Sequence, residues 1–434
     1  MTQQKQNGKL IAIITMIFLF GMLSFVTNLA APMGIVLKNQ FSVSNALGML
    51  GNFGNFIAYA VMGIPSGILL QRVGYKKTAL IAVAVGFIGV GIQYLSGHSS
   101  PDMAFAVYLI GAFIAGFSMC LLNTVVNPML NKLGGGGNKG NQLIQAGGSF
   151  NSLCGTAVII LTGLLIPEGI KNAQISNVFP LMYAALAIFA FAFIVISLTK
   201  IPETNKEAGV KTAEASKYGP LSFRHFMLGA IAIFVYVGIE VGIPNVLQKW
   251  LQNPDLNVLG SGVNAEAVAG SVAATYWFLM LIGRLLGAAI GSKVSAKSML
   301  TVVSSVGLLL TLGAMFAPEV AVNLPVFNGS AGFGLVNAPV NAALLVLIGL
   351  CTSVMWGGIF NLAVEGLGKY TEKASGIFMA LVCGGGILPL IQGYVADISN
   401  YLSSYWVIIA GLAYMLFYAL VGSKNVNKDI PVED

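Results

Sequence analysis

Apolar runs alternate with short polar or basic turns along nearly the whole chain. A membrane-spanning helix needs about 20 apolar residues, and the pattern predicts twelve such spans: 10–37, 45–70, 77–97, 103–131, 143–166, 178–199, 223–250, 266–291, 297–316, 341–365, 374–396 and 402–422. Glycine and proline within these runs are ordinary for membrane helices. Residues 1–9 are polar, with Lys5 and Lys9, and the apolar stretch from Leu10 to Leu37 is much longer than a signal-peptide core. It therefore predicts an uncleaved first helix. Residues 200–222 form the long charged segment, which predicts a cytoplasmic linker between an N-terminal bundle, 1–199, and a C-terminal bundle, 223–434. Residues 317–340, rich in Gly, Asn and Pro, are expected to be an outer loop.

Composition narrows the class. Of 434 residues 56% are hydrophobic and 9% charged, and the mean hydropathy is +0.84. A soluble chain this apolar would precipitate, so a polytopic membrane protein in the lipid bilayer is expected. The net charge of +7 does not point to nucleic acid, because of where the charges fall. With the N-terminus inside, every Lys and Arg except Lys38, Lys171, Lys249 and Arg284 lies in a cytoplasmic segment. That bias places both termini in the cytoplasm. Cys120, Cys154, Cys351 and Cys383 all sit in apolar runs without metal or redox spacing, and read as inert thiols. The chain has no P-loop and no HExxH, and the spans hold no Ser/His or paired-Asp arrangement. No enzyme activity, cofactor or metal is therefore expected.

The chain repeats itself. Asn131-Lys132-Leu133-Gly134 precedes a basic turn and a run with Gly147, Gly148 and Gly155; Glu365-Gly366-Leu367-Gly368-Lys369 precedes Lys373, Gly376 and Gly384-Gly385-Gly386. Gly67 to Lys77, with Gln71, Arg72, Gly74 and Lys76, has its counterpart in Gly283-Arg284, Gly287, Lys293 and Lys297. Two copies of a six-helix unit account for both matches.

Against this apolar background, side-chain amides stand out. Asn123 and Asn127 share one helical face, and Gln142, Gln145 and Ser149 form a second polar stripe across the glycine-rich turn. Unpaired amides in hydrocarbon are costly, so the stripes should face protein or a wet cavity. Amides donate and accept together, which suits a neutral, hydroxyl-rich solute. Asn127, just before Pro128, is expected instead to satisfy backbone loosened by the proline. Asn52, Asn55 and Tyr59 form a third stripe, expected at a moving interface between the halves. Glu240 is the only acid well inside a predicted span. It could bind hydroxyls, carry a proton, help hold a sodium ion, or be a neutral structural carboxyl.

The G…R.GYKK turn after the second span, with the twelve spans in two halves, resembles the major facilitator superfamily. Asn123-Thr-Val-Val-Asn127-Pro128, Ser149-Phe-Asn151-Ser152, Tyr236-Val-Gly-Ile-Glu240, Gly283-Arg284 and Ile359-Phe-Asn361 are similar to its fucose/glucose/galactose permease branch. The resemblance implies an all-α membrane fold of two pseudo-symmetric six-helix bundles. It also implies sugar uptake by alternating access in a bacterial inner membrane. It places sugar-contacting residues at Asn28, Asn151 and Trp356. Where proton-coupled members carry acids, this chain has Ala31 and Asn123; it has Gly148 where the branch has Gln, and Gln71 where the turn motif has an acid.

The expected substrate-binding set is Asn28, Asn123, Gln145, Asn151, Glu240, Trp356 and Asn361, with Glu240 the ion-coupling candidate. Arg72, Lys76, Lys77 and Arg284 are expected to gate the cytoplasmic face by pairing across the halves. The expected activity is secondary uptake of a neutral monosaccharide, a hexose or deoxyhexose, by a monomer. Proton, sodium or no coupling ion stay open; an uncoupled facilitator and a membrane sugar sensor are the alternatives.

Overall fold

The computed structural model describes residues 2–41, 45–165, 175–203, 218–260, 262–318 and 320–433. Lys171, most of the expected linker (204–217), and the side chains of Ala31, Lys38 and Asn52 lie outside the described residues. Helices α1 (Thr2–Phe41), α2 (Asn45–Ser96), α3 (Pro101–Gly134), α4 (Gly137–Leu165) and α5 (Phe179–Leu198) pack chiefly on one another. So do α6 (Arg224–Gln252), α7 (Ala265–Ile290), α8 (Ala296–Phe316), α9 (Val340–Thr352), α10 (Met355–Val364), α11 (Thr371–Ala380), α12 (Gly384–Ile398) and α13 (Trp406–Phe417). Among the described residues, ten helical segments are long and apolar enough to cross a membrane.

Where the expected spans meet or break, local chemistry explains it. The second and third spans run on as α2, interrupted at Gly74, whose φ of 83° and ψ of 175° favour a residue without Cβ. The Glu203 carboxylate accepts from the backbone N–H of Tyr75 at 2.8 Å and of Lys76 at 3.0 Å. It thereby caps the helix that restarts there. Between α3 and α4 the chain reverses through Gly135, Gly136 and Gly137, all at positive φ, and Gly135 and Gly136 donate to the last carbonyls of α3. The expected tenth span is broken between α9 and α10, and the eleventh between α11 and α12.

The stretch expected as an outer loop contains a β-hairpin, a departure from an all-helical chain. Strands β1 (Ala321–Phe327) and β2 (Phe333–Pro339) pair antiparallel, with Leu324 opposite Val336. Val322, Leu324 and Val326 alternate toward the protein while Ala321, Asn323 and Pro325 face out, the period-2 pattern of a half-buried strand, and Phe327 at its end is buried as well.

The two groups meet chiefly where α2 packs on α11 and α4 on α7. Small residues allow the first crossing. A Cβ at Gly67 would stand 2.9 Å from the Gly376 Cα, and Gly63 lies equally tightly against the Ala380 backbone. In lipid, helix association depends on such van der Waals contact rather than on water exclusion.

Candidate functional site

A cavity of about 220 Å³ lies where the two helix groups meet. That is below the roughly 300–1,000 Å³ of drug-sized pockets, on the scale of a single small solute. Helical periodicity aims its lining inward: Phe20, Leu23, Ser24, Thr27 and Asn28 on α1, Ile144, Gln145, Gly148 and Asn151 on α4, and Val237, Glu240 and Val241 on α6. Asn55 and Tyr59 from α2, Asn123 from α3, Arg284 from α7, Ser353 after α9 and Trp356 from α10 complete the polar part. Six of the seven expected binding residues, Asn28, Asn123, Gln145, Asn151, Glu240 and Trp356, therefore line one cavity.

The bonds of the carboxamides leave part of their capacity open, whereas the single N–H of Trp356 is taken. Asn28 Nδ2 donates to the Ser24 carbonyl at 2.9 Å and Ser24 Oγ at 3.0 Å. Asn123 Nδ2 donates to the Tyr59 hydroxyl at 2.6 Å. Asn151 Nδ2 donates to the Phe20 carbonyl at 2.8 Å, tying α4 to α1. Gln145 Nε2 donates to the Val354 carbonyl at 2.8 Å, between the helix groups. The Trp356 ring meets Tyr236 and Phe378 edge to face, and its Nε1 donates to Asn127 Oδ1 at 3.0 Å. An aromatic face beside carboxamides can cover an apolar ring while the amides meet hydroxyls.

Other expected residues sit elsewhere. Asn361 does not line the cavity; its Oδ1 accepts from Asn131 Nδ2 at 2.6 Å, closing α10 onto α3. Its register on α10 turns it toward the end of α3 instead of toward Trp356 and Gly357. Arg284, expected at the gate, lies in the cavity wall with its side chain 11% exposed, and its Nη2 donates to Glu240 Oε1 at 3.3 Å. It stands more than one turn before the end of α7, with its side chain turned to the cavity. Lys76 Nζ donates to the Ser197 and Thr199 carbonyls at 2.7 and 2.9 Å. It satisfies the α5 C-terminus within its own half. Arg72 and Lys77 are exposed, with no ion pair among the described residues. Asn127 does not take up the carbonyl that Pro128 frees. That group, Thr124 C=O, accepts from Ser375 Oγ at 3.1 Å, and Asn127 donates to the Asn123 carbonyl instead.

The face carrying the C-terminal tail is closed by residues the sequence reading missed. The Tyr75 hydroxyl donates to Glu372 Oε1 at 3.4 Å, and Lys132 lies 5.9 Å from the Tyr75 ring centre. Ser375–Thr124, Asn131–Asn361 and Gln142 Nε2 to the Ala288 carbonyl at 3.0 Å complete the closure. The signal lay beside the motifs already singled out, since Tyr75 is part of the GYKK turn and Glu372 precedes Lys373.

Comparison with known proteins places this geometry in a family. The model described as Major Facilitator Superfamily matches residues 13–388, and the chain belongs to that superfamily. It is 29% identical over 429 residues to the glucose/galactose transporter of Brucella abortus, covering 98% of this chain and 96% of that one. It is 28% identical to the putative glucose/galactose transporter of Helicobacter pylori, covering 97% and 99%. The crystal structure of the Escherichia coli fucose:proton symporter shares the fold with a TM-score of 0.77, at 21% identity over 95% of this chain and all of that one.

Proposed function

We propose that this protein imports a neutral monosaccharide, a hexose or deoxyhexose of the glucose, galactose or fucose kind, by alternating access. The single observation that carries the reading is the cavity itself. Carboxamides from α1, α3 and α4 and an aromatic from α10 converge on it, and the one charged pair among its described lining residues is Glu240–Arg284. The printed names of the relatives, glucose/galactose transporters and a fucose:proton symporter, support the substrate class.

The full architecture belongs to the same proposal. Counting Gly54–Ser96 as two spans and adding Gly137–Leu165 to the ten apolar segments supports twelve helices. The α2–α11 and α4–α7 crossings support two pseudo-symmetric halves, 1–199 and 223–434, joined by 200–222. The basic residues support cytoplasmic termini in a bacterial inner membrane, so the closed face is the cytoplasmic one. The carrier works as a monomer, without cofactor or catalysis. Asn28, Asn123, Gln145, Asn151 and Trp356 bind the sugar; Asn131–Asn361 and Tyr75–Glu372 form the inner gate. Coupling to a proton or sodium ion rests on Glu240, because Asn123, hydrogen-bonded to Tyr59, has no titrating group.

Transport into liposomes by the purified protein tests this. Labelled glucose, galactose and fucose are offered under proton and sodium gradients imposed separately. Saturable uptake of at least one sugar, driven uphill by one gradient, is expected. Saturable uptake indifferent to both gradients makes the protein an uncoupled facilitator, and no uptake of any monosaccharide overturns the proposal.

A further inference from the structure

Arg284 is the residue whose position the sugar-transport reading does not explain. A neutral sugar needs no guanidinium, and a cation in a membrane interior is costly. The fold nevertheless makes room for it. Gly148 lies against its side chain, so that a Cβ there would be 3.5 Å from Cδ and 3.7 Å from Nε of Arg284. The guanidinium is also almost fully engaged by the protein. Nη1 donates to Ser152 Oγ at 2.7 Å, the Gly148 carbonyl at 3.3 Å and Asn151 Oδ1 at 3.4 Å; Nε donates to the Ser353 carbonyl at 3.4 Å. Nη2 is turned to Glu240 at 3.3 Å. An arginine has five N–H donors, and these contacts draw on all three of its nitrogens. What it presents to a solute is therefore its charge more than its free donors, and Glu240 cancels that charge.

We propose that, while Glu240 carries no co-transported cation, Glu240 and Arg284 act together as a selectivity element that holds the cavity at zero net charge and so restricts it to uncharged sugars. This rests on the sugar-transport reading above. No other charged side chain lines the cavity among the described residues. The two carboxyl and guanidinium groups are 13% and 11% exposed, so solvent screens them weakly. A uronic acid entering this space would meet the Glu240 carboxylate with no uncompensated cation to receive it. An amino sugar would meet Arg284 with no uncompensated anion. Either ligand would be stripped of water without a partner, which is unfavourable for a charged group. A hydroxyl-bearing neutral ring meets the carboxamides at no such cost.

The pair is then a specificity determinant that can be inverted by single substitutions. Glu240→Gln leaves Arg284 unbalanced and should admit glucuronate; Arg284→Gln leaves Glu240 unbalanced and should admit glucosamine. The double variant is neutral again and should favour uncharged sugar. The measurement is inhibition of labelled monosaccharide counterflow, run without an ion gradient, by glucuronate, by glucosamine and by neutral glucuronamide, which differs from glucuronate only in its uncharged amide. A shift of roughly tenfold or more in the ratio of charged to neutral inhibitor is expected, because charge-assisted hydrogen bonds are about twice as strong as neutral ones.

Removing one member of a buried pair destabilises a fold, so the wild-type protein supplies a readout that needs no variant. Glucuronamide should inhibit it and glucuronate should not. Equal inhibition of the wild type by both, or either single variant reaching the membrane with unchanged charge preference, overturns the proposal. A folded wild type that takes up no monosaccharide at all brings down the transport reading instead, which separates the two failures.

Discussion

Asn131 Nδ2 donates to Asn361 Oδ1 at 2.6 Å, joining the last turn of α3 to α10 across the meeting plane of the two helix groups. Asn131 opens one copy of the repeated stretch, Asn131–Gly134, and Asn361 lies one turn before the other, which begins at Glu365. A bond of this kind can exist only while the closed face stays closed. Its loss measures the gate and not the sugar site.

Asn361→Ala should therefore bias the carrier toward opening at that face. One neutral hydrogen bond contributes about 1 kcal/mol, or about fivefold in a conformational ratio. Spin labels at Lys139 and Lys297, both exposed on this face, in a cysteine-free background would report the longer distance gaining population. An unchanged distance distribution with lost sugar binding would return Asn361 to the binding set.

The α2–α11 crossing tolerates no added bulk. A Cβ at Gly67 already comes 2.9 Å from the Gly376 backbone, so Gly67→Leu must push the helices apart, at about 1–3 kcal/mol for overpacking. The same spin-label pair should show the closed population falling, with counterflow of labelled sugar falling alongside. A closed-face distance identical to wild type would show that the crossing is looser than the structure gives it.

Trp356 offers a graded test of the cavity. Trp356→Phe keeps an aromatic surface but loses the bond to Asn127, and sugar affinity should weaken by about 1 kcal/mol. Trp356→Ala also forfeits the edge-to-face contacts with Tyr236 and Phe378, about 0.5–1.5 kcal/mol for each ring pair. Equilibrium binding of labelled sugar would rank wild type above Phe above Ala. Equal affinities for all three would remove Trp356 from the site.

Asn151→Ala and Asn28→Ala should abolish counterflow while leaving the protein in the membrane. Asn151 also holds α4 to α1 through the Phe20 carbonyl, so thermal stability must be measured beside transport. A stable Asn151→Ala protein with wild-type counterflow would place the sugar elsewhere.

Glu203→Ala should destabilise the helix that restarts after Gly74. The carboxylate caps two otherwise open N–H groups, and losing such a cap costs about 0.5–2 kcal/mol. A lower unfolding temperature with unchanged sugar affinity is the expected pair of results. Loss of affinity without loss of stability would show that this cap communicates with the cavity.

The apolar, membrane-crossing character of the helices and the inward aim of the cavity amides were legible in the sequence for one reason. Hydrocarbon penalises every unpaired polar group, so a carboxamide at Asn28, Asn123 or Asn151 within an apolar run must face inward whatever the packing. The family resemblance rested on such local motifs, and the repeated motifs were visible because each copy is a short stretch of sequence. What local pattern could not decide was which inward residue meets which partner across the halves. Asn361 shares its residue type and helical setting with the cavity amides, and only the register of α10 against α3 turns it into the seal. Arg284 reads as an inner-face charge until the placement of α7 against α4 and α6 sets it beside Gly148 and Glu240. Lys76 has the charge for a gate, but the end of α5 lies within its reach. Partnerships between residues more than a hundred positions apart depend on helix crossings set by small residues such as Gly67 and Gly376, and no periodicity within one helix encodes them.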